Sequence, residues 1–553
     1  MVPRYLIDPS QKVKVHKPCD CTVIGSGIAG LSTAIRLSGR HRVKVITKSS
    51  LRESTTWYAQ GGIAAAIKKP DLWKNHYEDT IIAGQGLCDP KAVEILVKNA
   101  PRMIEDLIEQ GINFDISEGE ISLTTEGGHR HPRILHAGGD ATGEEIEKKL
   151  VKYARNLDGI QFLPNYFVMD LLTLDNRCLG VTGLNPHTNM LEIHPSFFTV
   201  LASGGIGQLY ELSTNPPIST GDGVAMAYRA GAAVMDIEFI QFHPTVFKTK
   251  DGKLFLISEA LRGEGAFLKD KHGKRFMIDA HPQAELAPRD IVVKEMVKVM
   301  KATDSNFVYI DATHLSPSML KVRFPNIYYK LLENGLNLTK DLIKVSFAAH
   351  YMNGGVKTDY EGLTSIEDLY SCGEVSATGA HGANRLASNS LIEGLVYGWN
   401  IYRQIDKKLM RKRSGGKLQK EIGSLLGPVG QQEHHDKQID TEDIIHRLKK
   451  TMSLKAGISR DGESLNEAAG LVKRYIGSPA FYNTSDKRKA ELANMLVTAM
   501  LIIKAASLRK ESRGTHQRID FPDKDDKRWK KHILLQKDKI GYIEVKDGRH
   551  TKS

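Results

Sequence analysis

The run Cys21-Thr22-Val23-Ile24-Gly25-Ser26-Gly27-Ile28-Ala29-Gly30, continuing into Leu31-Ser32-Thr33-Ala34-Ile35-Arg36-Leu37, constrains this chain more than any other feature. A β-branched segment meets Gly-x-Gly-x-x-Gly and passes into an apolar period near 3.6, the pattern of a strand turning into a helix against a dinucleotide. Gly25 permits the tight turn, Gly27 lets backbone approach a pyrophosphate at the helix N-terminus, and Gly30 lets helix pack closely on strand. A second β-branched run, Val43 to Lys48, follows at the interval of a βαβ unit. The acid that usually ends this strand and holds a ribose is missing, and Lys48 stands near its place. The fingerprint alone therefore leaves NAD and FAD both open.

At 553 residues and 41% hydrophobic, the chain can bury a sizeable core, and two to four domains are expected. No apolar run approaches the ~20 residues of a membrane-spanning helix, and the polar opening to Pro18 lacks a signal-peptide core, so the expected location is cytoplasmic with no membrane partner. Five scattered cysteines suit a reducing compartment. Cys19-Asp20-Cys21 has no second pair to complete a four-ligand site, so it reads as two ordinary strand-edge thiols and no metal is expected. The net charge of +12 raises the question of nucleic acid. The basic residues gather in the linker around Lys407 to Lys420 and in the tail after Arg509 without interleaved aromatics, so a solvated surface is expected and no nucleic-acid partner. The same field would draw small dianions towards a cleft.

Residues 1–241 alternate short apolar strands with helical stretches and Gly-rich turns, the α/β texture of a Rossmann-like nucleotide-binding domain. From 242 to 349 loops, short helices and proline breaks suggest an inserted α+β capping domain. Strand and glycine signals return over 350–415, so the first domain is expected to resume. After the basic linker, 421–553 reads as a C-terminal helical bundle, with the amphipathic period Leu492, Ala493, Met495, Leu496, Ala499, Met500, Ile503, followed by a charged, loosely ordered tail past Pro522.

Four further segments carry a family resemblance: Thr55 to Gly62, Ala141-Thr142-Gly143, Gln241-Phe242-His243-Pro244-Thr245, and His381 to Leu391. Together they resemble the fumarate reductase and succinate dehydrogenase flavoprotein superfamily, over about residues 20 to 520. The resemblance implies FAD, with its pyrophosphate at Gly25, Ser26, Gly27, Ile28, Ala29 and Gly30, and with further contacts at Lys48, Thr55, Thr56, Ala59, Gln60, Gly61, Gly62, Asp222, Glu374, Ser390 and Leu391. Respiratory members bond a histidine covalently to the flavin four residues before Ala-Gln-Gly-Gly. Here that position is Thr55, so noncovalent FAD is implied.

A four-carbon dicarboxylate needs two cationic or donor-rich anchors set well apart. His243, His350 and Arg385, each flanked by turn-forming residues, are candidates, and all three fall on the superfamily's substrate positions. Gln241 and Ser258 match further contacts, with serine where relatives commonly have threonine. The resemblance gives Arg289 the acid/base role. Glu259 and Arg262, three apart and so on one helical face, supply a plausible proton relay, or else a structural ion-pair network. Thr125-Glu126-Gly127-Gly128-His129 places a carboxylate where fumarate- and succinate-handling relatives have an apolar aromatic. Near C2 it would repel a plain dicarboxylate and attract an ammonium. At ~4 Å and an effective dielectric near 20 that attraction is on the order of 4 kcal/mol before desolvation. These segments are similar to the L-aspartate oxidase branch. That branch implies hydride transfer from C2 of L-aspartate to flavin N5, release of iminoaspartate towards quinolinate and NAD synthesis, reoxidation by dioxygen or fumarate, and a possible link to a quinolinate synthase. The alternatives are a soluble fumarate reductase or succinate dehydrogenase flavoprotein, and a basic nucleic-acid-binding protein that keeps an old flavin fold.

Overall fold

The computed structural model describes residues 2–6, 13–188, 190–410, 415–425, 439–478 and 486–545; the linker residues 411–414 lie outside them. The strand Cys19–Ile24 leads through the glycine turn into the helix Ile28–Ser38, which crosses over to the strand Val43–Ile46. These two strands pair in parallel, Cys21 with Val43, and the strands Ile160–Leu163 and Leu191–Leu201 extend the parallel sheet on either side. Phe167–Leu174 and Arg177–Leu184 add antiparallel strands beyond Leu191–Leu201, and Leu369–Ser371 returns from far along the chain to pair with it. Cys19 and Cys21 therefore sit on an interior strand, not at a sheet edge, and all five cysteines are free and buried.

A second, antiparallel sheet is built from Ile240–Lys248, Leu254–Leu256, Phe267–Lys269, Val308–Asp311 and Ile343–Met352. It has its own core, including Ile257, Leu261, Met296, Ile310, Leu331 and Ile343. The first and last of its strands pair directly, His243 opposite Ala348, so the chain enters and leaves this segment side by side. Asp140, just before the helix Thr142–Arg155, ties this segment to the preceding one by accepting from the backbone N–H groups of Asn326 and Ile327, 3.1 and 2.8 Å away, at the start of the helix Pro325–Glu333.

The C-terminal part departs from the sequence reading in three ways. The helix Lys487–Leu508 is long and apolar enough to cross a membrane by length and composition, contrary to the expectation that no such run exists, and 78% of its most apolar window is buried inside the protein. It is also apolar on nearly every side, with Leu492, Met495, Leu496, Val497, Leu501 and Ile502 all buried, because it runs through the middle of its neighbours rather than along a surface. As far as residue 545 the tail is not loose, and residues 546–553 lie outside the described residues. Lys531–Gln536 and Lys539–Glu544 form a hairpin whose first strand pairs with Val234–Met235, burying Ile533 and Leu535. Leu535→Ala is expected to cost about 2–5 kcal/mol in urea unfolding; a change under about 0.5 kcal/mol would mean the hairpin contributes nothing to stability.

Candidate functional site

One cavity runs from the glycine turn to the gap between the two sheets. Its first end is shaped by backbone. Gly25 has φ +113°, and a Cβ there would lie 2.1 Å from the carbonyl oxygen of Ala202. Gly27 caps the helix Ile28–Ser38 with no side-chain bond, which leaves the positive end of that helix facing the cavity. Gly30 is the one glycine of the fingerprint absent from the cavity wall; it packs against the oxygen of Gly25, as close helix–strand contact requires. Ser26, Ile28, Ala29, Thr55, Thr56, Ala59, Gln60, Gly61, Gly62, Ser390 and Leu391 all line the cavity. Lys48 lines it too, but two carboxylates hold it: Asp222 at 2.7 Å and Glu491 from the long C-terminal helix. The buried Ser203 Oγ and Gln60 Oε1 on this wall lack protein partners. Open backbone, a helix N-terminus whose first N–H is held by the Thr56 hydroxyl at 3.1 Å, and unpartnered polar atoms fit a dinucleotide cofactor.

The other end is a cluster of charge. Arg289 donates through Nε to Glu259 Oε2 at 2.5 Å and through Nη1 to Gln241 Oε1 at 3.0 Å; Arg385 Nη2 donates to the same Gln241 oxygen at 3.1 Å. Arg262 Nη2 lies 3.2 Å from Glu259 Oε1, the two sharing one face of a short helix. Gln241 and Arg262 do not reach the cavity wall, whereas Glu126, His243, Ser258, Glu259, Arg289, His350 and Arg385 do. Gln241, a predicted direct contact, thus stands behind the two guanidiniums and holds them side by side, fixed in turn by donating to Asn384 Oδ1 and Arg385 O, both at 2.8 Å. Burial raises the Glu259 carboxyl, but Arg289 and Arg262 outweigh it and hold it ionised.

The two histidines come from the paired first and last strands of the second sheet, with ring centroids 5.0 Å apart. Burial and the neighbouring arginines push both well below the ordinary histidine range, so both are neutral near pH 7. Arg385 is lowered to about 10 by burial and by Arg289, and it remains charged, its guanidinium 4.2 Å over the Tyr351 ring. Burial also raises Glu374 to about 7 where it lines the cofactor end.

Glu126 lies on a loop pinned on its far side, where Gly127 N–H donates to Glu259 and Gly128 N–H to Leu286 O. Its Oε2 accepts from Ser388 Oγ at 2.5 Å, while Oε1 is buried with no partner. Burial and the Glu259 charge raise its pKa, and Ser388, the Arg289 charge and the nearby Gly62 backbone N–H oppose them. Sequence reasoning missed Ser388, Tyr351 and Thr214, because each is an ordinary polar residue whose importance comes from a distant partner. Away from the cavity, His16, Glu192 and His194 come close enough to hold a metal, a group the cysteine-based reading did not consider. Both ring nitrogens of His194 are already engaged, by Lys44 at 3.2 Å and Tyr166 at 2.9 Å.

Residues 20–391 match the family described as FAD binding domain, and residues 445–551 the fumarate reductase flavoprotein C-term family. An L-aspartate oxidase of Streptomyces coelicolor is 41% identical over 551 residues, covering 95% of this chain and 94% of that protein; one from Yersinia pestis is 41% identical, covering 91% and 96%. The chain belongs to the L-aspartate oxidase family. Among solved structures, E. coli quinol fumarate reductase FrdA superposes with a TM-score of 0.88 at 28% identity, covering 97% of this chain and 98% of that one, and Mycobacterium smegmatis Sdh1 with 0.78 at 30%, covering 96% and 94%. For this L-aspartate oxidase family member the cofactor is FAD, held noncovalently. Thr55 stands where respiratory relatives place their flavin-bonded histidine, and its hydroxyl lies 3.4 Å from Ser219 Oγ.

Proposed function

We propose that this protein oxidises L-aspartate to iminoaspartate, the quinolinate branch of NAD synthesis, with dioxygen or fumarate as the final electron acceptor. The observation that carries this reading is Glu126, its Oε1 buried without a hydrogen-bond partner, on the wall of a cavity that also holds Arg289, Arg385 and two neutral histidines. Such a wall suits a molecule with two carboxylates and one ammonium. Bound FAD supplies the two-electron acceptor for oxidation at C2. Arg385, His243 and His350 hold the carboxylates, with Ser258 adding a hydroxyl. Glu126 receives the ammonium, whose charge restores ionisation of a carboxyl that burial otherwise disfavours. Loss of hydride from C2 is balanced by one proton leaving the substrate nitrogen; Arg289 accepts it as its own Nε proton passes to Glu259 Oε2, 2.5 Å away, and Arg262 lies against the other oxygen of that carboxylate.

The same reading treats the parallel sheet as a Rossmann-like cofactor domain (1–241 and 350–415), the second sheet (242–349) as a cap that closes over substrate and excludes water, and 421–553 as a helical bundle finished by the hairpin. Five buried free cysteines support a cytoplasmic location. A docked quinolinate synthase would take an unstable imine directly. The close superposition on FrdA keeps a soluble fumarate reductase or succinate dehydrogenase as the second reading.

Anaerobic mixing of the holoenzyme with L-aspartate should bleach oxidised flavin absorbance, and succinate should bleach it far more slowly. Bleaching by succinate alone would favour the second reading.

A further inference from the structure

A neutral imidazole carries one proton, and a bound carboxylate needs it on the nitrogen that faces the substrate. At His243 the backbone makes this choice. Thr245 N–H approaches Nδ1 at 3.2 Å, and an N–H can only donate, so Nδ1 is the acceptor and Nε2 carries the proton. The Thr245 hydroxyl is occupied elsewhere, donating to Ile257 O at 2.8 Å.

His350 is served differently. Its Nδ1 faces the hydroxyl of Thr214 at 2.8 Å. That hydroxyl has one proton and one competing acceptor, Ala349 O, at 3.4 Å. The carbonyl already receives Thr214 N–H at 3.0 Å and the Ser213 hydroxyl at 3.3 Å, so it offers the Thr214 proton a poorer acceptor than Nδ1 does. Two further contacts clamp the Thr214 loop against the strand that carries His350: Ser213 bridges to Ala349, and Asn215 Nδ2 donates to His350 O at 2.9 Å.

We propose that Thr214 is a positioning residue for substrate binding: by donating to Nδ1 it fixes His350 as the Nε2–H tautomer, so that His243 and His350, on paired strands, present matched N–H donors to a substrate carboxylate. This deepens the reading above and rests on it.

The test uses the FAD-loaded full chain with Thr214→Val, Thr214→Ser, His350→Ala and the Thr214→Val/His350→Ala double variant. Valine keeps the shape and removes the hydroxyl. Thr214→Val should raise KM for L-aspartate, and the Kd for succinate read from flavin absorbance, about 10-fold, with kcat within about threefold and FAD content unchanged. Thr214→Ser should restore both. In the His350→Ala background, Thr214→Val should cost nothing further, since the proposed action runs through His350. Spectra of ¹⁵N-histidine-labelled protein should show one Nε2–H signal pattern for His350 that Thr214→Val alters. Unchanged KM and Kd in Thr214→Val, additive costs in the double variant, or no rescue by serine would each overturn the proposal. Failure of L-aspartate to bleach the wild-type flavin would instead overturn the functional reading, and the succinate titration and the ¹⁵N spectra would still decide the role of Thr214.

Discussion

Glu126→Gln is expected to lower kcat/KM for L-aspartate about 100-fold while FAD content and succinate binding are retained. The amide keeps the shape of the side chain and its contact with Ser388, but it removes the charge opposite the substrate ammonium. An ion pair at ~4 Å is worth on the order of 4 kcal/mol at an effective dielectric near 20, and desolvation takes back part of it, leaving about 3 kcal/mol. Steady-state kinetics with L-aspartate, beside a succinate titration of flavin absorbance, check this. Unchanged aspartate kinetics would reduce Glu126 to a structural loop acid.

Arg289→Gln is expected to lower the rate of flavin reduction at saturating L-aspartate by about 10³-fold, the middle of the range for lost acid–base catalysis. The variant also leaves Glu259 buried with one guanidinium fewer, so the carboxylate loses part of what keeps it ionised. Arg289→Lys restores a charge but not the planar fork that reaches Glu259 and Gln241 together, and it should recover little. Anaerobic stopped-flow absorbance with a matched FAD content reads the effect. A wild-type rate in Arg289→Gln would remove this residue from the proton path.

The parts of the protein legible in the sequence are those whose physics is local. Gly25 must be glycine because φ is +113° and a side chain would strike Ala202 O, and that demand is written at the position itself. The alternation of strand and helix around it is likewise set by neighbouring residues. The hairpin at 531–544 was locally legible as well: His532 to Leu535 and Ile540 to Ile543 are β-rich runs about a Lys537-Asp538 turn, and the surrounding charge masked them. The helix Lys487–Leu508 carried a misleading local signal, since a period found among its apolar residues does not reveal that its remaining faces are also covered.

The glycine turn, the threonine in place of a flavin-bonded histidine, and the identities of the charged residues that meet in the cavity are all set in the linear chain. How those charges are used depends on the fold. Gln241 stands behind Arg289 and Arg385 rather than at the wall, Ser388 leaves one oxygen of Glu126 free, and Thr214 reaches His350 across 136 residues of chain. The physical reason is range: a backbone turn depends on the residues that form it, whereas a hydrogen bond between distant segments depends on strand register and on which side chains that register brings within about 3 Å.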